Sequence, residues 1–301
     1  MTDTTYILPA DRGLIAVAGA DGRPFLQGIV TNDVDAVDAA HAQYAAMLTP
    51  QGRIMWDFFL MSLDRDDGGL LLDCDRDGLP AFQKRLSMYR LRADVQLSDV
   101  SEDFAVVAFP GAAAPAALGV DPAPGNARPW HGGVIYTDPR LAALGARAIV
   151  PADRLDDALA ATGFAVGDAD SYDRLRLTLG VPGGAADLPP ERALPLEVGF
   201  NELNALSWTK GCYMGQELTA RMNYRALVKK RLLPVAIEGP APPPGTPIEL
   251  DGKDVGEMRS SNGDRGLAYL RLAAADAGQP LTCGEARLTP SRPDWFKRPT
   301  S

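Results

Sequence analysis

Cysteine and histidine are scarce in this chain: 301 residues hold three of the former and two of the latter. Cys74, Cys212 and Cys283 lie far apart, are odd in number and form no C-x-x-C pair, which argues against a disulfide framework. With only His41 and His131 to add, a self-contained zinc or iron–sulfur site is short of ligands, so no resident metal is expected. Any iron–sulfur connection has to be indirect or use a cluster shared with a partner. No apolar run approaches the ~20 residues of a membrane span. The opening "MTDTTYILPADRG" lacks the basic and apolar regions of a secretory signal, and the expectation is a cytoplasmic protein. Positive charge is also in deficit, with 30 Lys and Arg against 39 Asp and Glu and a net charge of −9. A general nucleic-acid binder needs a basic face for phosphate, so that class is disfavoured.

What is present is ordinary for a globular protein: 46% hydrophobic and 23% charged residues, with length for two or three packed domains. The basic residues are unevenly spread. "RMNYRALVKKR" carries Arg221, Arg225, Lys229, Lys230 and Arg231 and no acid. Such a run is either a surface for an anionic ligand or a solvated helix end followed by an edge strand.

Asp21 is placed to cap a short helix whose Phe25, Leu26 and Ile29 share a face. "AAMLTPQGRIMWDFFLMSL" reads as a hairpin around Pro50-Gln51-Gly52. The break "DRDDGG" precedes the strand "LLLDC", and residues 78–90 fit an amphipathic helix. "ADVQLSDV", "DFAVVAFPG", "GGVIYTD" and "ARAIVP" are strands. Residues 111–129, rich in alanine, proline and glycine, read as a connection with at most one short helix. Helices follow in "PADRLDDALAATG" and in "DADSYDRLRLTLG", the second capped by Asp168. Beyond Val228 short strands alternate with proline and glycine turns, the pattern of a small antiparallel barrel or sandwich. The fold class is α+β with an all-β tail, divided into residues 1–228 and 229–301.

The stretch "TKGCYMGQELTAR" sets Cys212 beside Lys210. If a helix runs from Tyr213 to Met222, the thiol sits at its N-terminus, where amide N–H groups and the ammonium favour thiolate. That suits a nucleophile, a redox thiol or a thiolate ligand; the plain alternative is a small buried hydrophobe. Gly211 allows positive φ. Gly215 inside the helix costs ~1 kcal/mol relative to alanine, which points to close approach by a backbone or ligand. Glu197, embedded in "LPLEVGF", is costly to bury unless hydrogen-bonded, to backbone N–H, to an arginine such as Arg174 or Arg176, or to a ligand. Asp57, in the apolar run "RIMWDFFLM", is either inward and partnered or on a wet face. Gln27 and Asn32 are pocket polar groups or parts of a helix end and its turn. Phe200, Trp208, Tyr213 and Tyr224 offer rings for stacking or for a core.

In "KGCYMGQE", with "FLQGIVTNDV", "LTPQGRIMWDF", "RLRLTLGVP", "LPLEVGF", "VGEMRSS" and "GLAYLR" in order, the chain resembles the YgfZ family. These are folate-binding relatives of the glycine-cleavage T protein that act in iron–sulfur protein maintenance. The resemblance implies a T-protein-like folate-binding body of two interleaved subdomains around a central hole, then a C-terminal antiparallel β-barrel. Where the T protein has adjacent aspartates this chain has Trp56-Asp57, and where the T protein has an acid it has Cys212. Both departures fit the YgfZ branch and speak against aminomethyl transfer.

By this resemblance the protein is an accessory factor that binds tetrahydrofolate or another reduced folate, with or without a polyglutamate tail. It supports iron–sulfur cluster assembly or repair in client enzymes, including one that thiolates tRNA. Cys212 is then the reactive or cluster-contacting group, tuned by Lys210, in a loop shaped by Gly211, Gly215, Gln216 and Glu217. Glu197 anchors the pterin, whose paired N–H donors match one carboxylate, and Arg221 meets the glutamate carboxylates. Gln27, Asn32, Asp57, Trp208 and Tyr213 complete the expected folate set. The alternative is a folate-dependent one-carbon transferase or demethylase in which Asp57 positions the one-carbon nitrogen. Folate form, clients and oligomeric state stay open at this level.

Overall fold

The computed structural model describes residues 4–63 and 69–297. The expected break "DRDDGG", apart from Gly69, lies outside the described residues. The chain forms two compact units, each assembled from three separate segments. The first comprises Met1–Leu48, Met55–Ala169 and Asn204–Met214, the second Thr49–Ile54, Asp170–Leu203 and Gly215–Ser301.

The first unit contains a five-stranded sheet in the order Gln43–Leu48, Ile54–Ser62, Leu70–Asp75, Arg12–Ala18, Gln96–Asp99. Side chains alternate across its strands, so Phe58, Leu60, Leu70, Leu72, Ile15 and Val17 share one apolar core. The helix Leu79–Arg90 covers that core with Leu79, Phe82 and Leu86, spaced for one helical face. Its Phe82 ring lies 5.2 Å from both Trp56 and Phe58. The alternate positions Phe59 and Asp73, paired in register, carry an aromatic ring and a buried carboxylate.

A four-stranded antiparallel sheet completes this unit, in the order Phe104–Pro110, Gly145–Pro151, Gly133–Thr137, Ala127–Trp130. Asp73 joins the two sheets: Arg12 Nε donates to its Oδ1 at 2.6 Å and Arg147 Nη2 to its Oδ2 at 2.7 Å. Residues 111–129, read as a connection with at most one short helix, hold the helix Ala114–Ala117, and the correction is the strand Ala127–Trp130 at their end. It is an edge strand, where Pro129 lacks no ladder bond that a central strand would need.

The second unit holds a closed six-stranded antiparallel barrel. Its order is Lys230–Glu238, Arg265–Arg271, Lys253–Asn262, Pro247–Leu250, Leu281–Cys283, Ala286–Pro290. Val235, Ile237, Ile248, Met258, Leu270 and Leu288 fill it. Around it sit the helix Ala169–Leu179 and the turn at Thr49–Ile54, where Gly52 takes φ +74° and Thr49 N bonds Arg53 O at 2.7 Å. Trp295 Nε1 donates to Leu179 O at 2.7 Å, and Arg231 pairs with Glu202 at 2.9 Å, both side chains of the pair buried.

Two local expectations change. The first helix spans Gly22–Gln27 and stops before Ile29; Asp21 holds its N-cap position without capping, because its Oδ2 instead accepts Asp94 N at 2.8 Å. The helix expected at 151–163 opens as a 3-10 turn, Ala152–Arg154, before Leu155–Thr162, and ends at Gly163 with φ +68°.

Candidate functional site

The segment before the motif is laced to residues 28–32 within the first unit. Ser207 N bonds Thr31 O at 3.0 Å, and Met214 N bonds Gly28 O at 3.2 Å. Thr31 Oγ1 donates to Ala205 O at 2.7 Å, and Asn32 Nδ2 to Asn204 O at 2.8 Å and Tyr44 O at 2.9 Å. Asn32 thus acts as a clamp between three backbone segments. Gln27 fixes the neighbouring turn: its Nε2 donates to Asp33 Oδ1 at 2.7 Å and its Oε1 accepts Val34 N at 2.8 Å.

Lys210 is buried, with Nζ donating to Val30 O at 2.8 Å and Asn32 O at 2.5 Å. Burial lowers its pKa to about 8, against the pull of Asp33 and Asp35. Beside its expected role of tuning Cys212, Lys210 has a structural one that the sequence did not suggest. Its ammonium is spent on two carbonyls and on the Tyr213 ring, 5.4 Å away, and the residue holds the loop in place.

Cys212 is exposed, whereas Cys74 and Cys283 are buried. The helix that follows runs Gln216–Tyr224 and not from Tyr213, so Cys212 stands in irregular backbone four residues before it. The helix N-terminus expected at Cys212 lies instead at Gly215. The glycine roles also exchange. Gly211 does not adopt positive φ and has open space around it, while Gly215 takes φ +80° as the N-cap. The close approach is to Gly52, where an added Cβ would lie 2.9 Å from Gly215 O. Glu217, exposed in the first turn, complements the helix dipole, and Gln216 is half-buried beside it.

Of the other expected ligands, Asp57 is half-buried and accepts the Tyr44 hydroxyl at 2.8 Å, the inward, partnered reading. Trp208 is 39% exposed, Tyr213 buried, and Arg221 exposed on the motif helix.

Glu197 lies in the second unit, in the 3-10 turn Pro195–Val198. Burial raises its pKa, while Tyr269, Lys230, Arg53 and Arg231 pull the other way. Its partner is the Tyr269 hydroxyl, which donates to Oε2. Neither expected arginine serves: Arg174 pairs with Asp264 at 2.7 Å, and Arg176 with Asp173 and Asp187 at 2.6 Å each. Tyr269 is a site residue that sequence reasoning missed. The signal lay in strand alternation: Glu257 and Arg259, two apart in "VGEMRSS", share a face, and Tyr269 is the register partner of Glu257. Among the described residues no group of three or more His, Cys, Asp or Glu side chains is arranged to hold a metal.

Residues 11–120 match the GCVT N-terminal domain family, and residues 229–298 the CAF17 C-terminal beta-barrel domain. The mitochondrial iron–sulfur cluster assembly factor IBA57 of Mus musculus is 35% identical over 305 residues, covering 95% of this chain and 83% of that protein. Its Homo sapiens counterpart is 35% identical over 311 residues with the same coverage, 95% and 83%. The aminomethyltransferase T of the glycine cleavage system from Bartonella henselae has the same fold, with TM-score 0.77 at 16% identity over 99% of this chain and 87% of that one.

Two expectations are corrected by these likenesses. The relatives are IBA57 proteins, kin of YgfZ and not YgfZ itself. Their names also place them in mitochondria, which overturns the cytoplasmic assignment. That assignment rested on the lack of a secretory signal, a test blind to other compartments. No helix among the described residues is long and apolar enough to cross a membrane. With a third of its residues identical across nearly its whole length, and a T-protein-like body followed by a CAF17-type barrel, the chain belongs to the IBA57 family.

Proposed function

We propose that this protein serves iron–sulfur cluster assembly or repair, offering Cys212 to a cluster carried by a partner or client and holding a reduced folate at Glu197. The observation that carries the reading is the exposure of Cys212, when both other thiols are buried. One thiolate supplies a single cluster ligand of the four a cluster usually takes, so the remaining ligands come from the second protein. The assembly-factor name of the relatives supports the same role, and the transferase alternative is not favoured. Asp57 stands as a lone acid engaged by Tyr44, without the neighbouring aspartate of the T protein.

Folate binding fits one feature of the second unit. Glu197 is half-buried with Oε2 on Tyr269, and Oε1 remains to accept from a pterin N–H. A bound reduced folate supplies an easily oxidised, one-carbon-carrying ring. The finer readings are that a tRNA-thiolating enzyme is among the clients and that Arg221 with the basic run favours polyglutamate tails.

Cells lacking the protein and complemented with wild type, Cys212→Ala or Cys74→Ala test the thiol. Client iron–sulfur enzyme activity and tRNA thiolation should be restored by the first and third only. Full rescue by Cys212→Ala defeats the thiol reading. Calorimetric titration with tetrahydrofolate should show affinity at least tenfold weaker in Glu197→Gln, and equal affinity removes Glu197 as the anchor.

A further inference from the structure

Within the second unit a cavity of about 250 Å³ is lined by Arg53, Arg192, Lys230, Arg259, Asp187 and Glu257, with Ala193, Val198 and Tyr269 as its apolar and aromatic wall. The acids do not balance the cations. Asp187 is saturated, accepting from Arg176 Nη1 at 2.6 Å, Gly183 N at 2.9 Å, and Ser260 N and Oγ at 3.0 and 2.6 Å. Glu257 is held by Arg259 Nη2 at 2.7 Å. Glu197, bonded by the Tyr269 hydroxyl and within electrostatic reach of Lys230 and Arg53, offsets one charge at most. Arg53, Arg192 and Lys230 have no carboxylate in ion-pair distance among the described residues.

Three cations without a carboxylate partner around one cavity form a site that an anion would complete. Arg53 and Arg192 are exposed, Lys230 is half-buried and Arg259 is only 8% exposed, so the positive charge runs from solvent inwards. The nearly buried Arg259 lines the cavity with its guanidinium held by Glu257 through Nη2 at 2.7 Å. Lys230 and Arg259 both lie near the Tyr269 ring, at 5.1 and 5.5 Å from its centroid, which holds them at the cavity wall without neutralising them.

We propose that this cavity is a binding site for a small, multiply charged oxyanion, presented as a dicarboxylate or a phosphate. Guanidinium forks match both geometries, which is why the cavity uses three arginines to one lysine. The cavity adjoins the Glu197 anchor of the folate reading through Tyr269, and the test is run without folate and on variants other than Glu197 so that the failure of either reading is told from that of the other.

The test is calorimetry on the full chain without folate, titrating malonate and inorganic phosphate separately at ionic strength held constant with potassium chloride. Saturable binding of either anion is expected, at least tenfold weaker in Arg192→Gln and in Arg259→Met. A malonate-only response assigns a carboxylate ligand and a phosphate-only response a phosphate ligand. Arg192→Gln keeps the test decisive if Arg259→Met fails to fold, since the Arg192 side chain is exposed. Absence of saturable binding by both anions, or unchanged binding in a folded variant, overturns the proposal.

Discussion

A thiol reacts as its thiolate, so burial in an apolar core silences it twice, by raising its pKa and by closing access. Burial pushes the Cys74 thiol up to about 12 and raises that of Cys283 as well. Brief alkylation of the native protein with iodoacetamide should therefore label Cys212 alone, with Cys74 and Cys283 reacting only in denaturant; fast native labelling of either would contradict the burial. Lys210 gives a second test at this scale. Replacing it by methionine strands the Val30 and Asn32 carbonyls, at a cost of about 1–3 kcal/mol. Its folded pKa near 8 lies below the ordinary lysine value, so between them the unfolded chain binds more protons. The Lys210 contribution should thus make stability rise from pH 8 towards 10.5. Lys210→Met should flatten that rise in denaturant titrations, and an unchanged slope would show that burial does not shift this amine.

Between elements, the two sheets of the first unit meet on one carboxylate. Burial pushes the Asp73 pKa up, but Arg12 and Arg147 outweigh it and hold the carboxyl below its usual range. A depressed folded pKa adds stability above the unfolded value of about 3.9, lost as pH falls through the lower folded value. Asp73→Asn leaves two buried guanidinium groups facing a neutral amide and should cost about 3–5 kcal/mol. Its urea stability should also depend less on pH below 4 than the wild type's. Parallel acid profiles for the two proteins would mean that the arginines find other acceptors.

At the scale of the molecule, the second unit is not the barrel alone. Glu202 pairs with Arg231, Asp187 takes Ser260, and Leu179 O accepts Trp295, so residues 170–203 depend on strands and a terminal segment that follow Val228. A chain ended at Val228 loses every one of these partners. It should melt at lower temperature or aggregate, with early hydrogen exchange at 170–203; a soluble fragment with wild-type protection there would show that this segment folds without the barrel.

Hydrophobic alternation, the turn at Pro50-Gln51-Gly52 and the proline-punctuated tail determined the α+β class and an all-β tail, barrel or sandwich, because such patterns act over a few residues; the closed barrel was implied by the family resemblance alone. The motif around Cys212 was legible as a motif for the same reason. Its chemistry was not. Whether Lys210 faced the thiol or the carbonyls of Val30 and Asn32 depended on residues 180 and 178 positions away. The Tyr269 partner of Glu197 lies 72 positions distant, and the two acceptors that hold Arg12 and Arg147 meet on another strand. Local sequence sets backbone preference and the side of a strand on which a charge stands. Which opposite charge or carbonyl it meets is decided only when distant segments pack, since burial supplies both the cost of leaving the group unpaired and the partner that removes it.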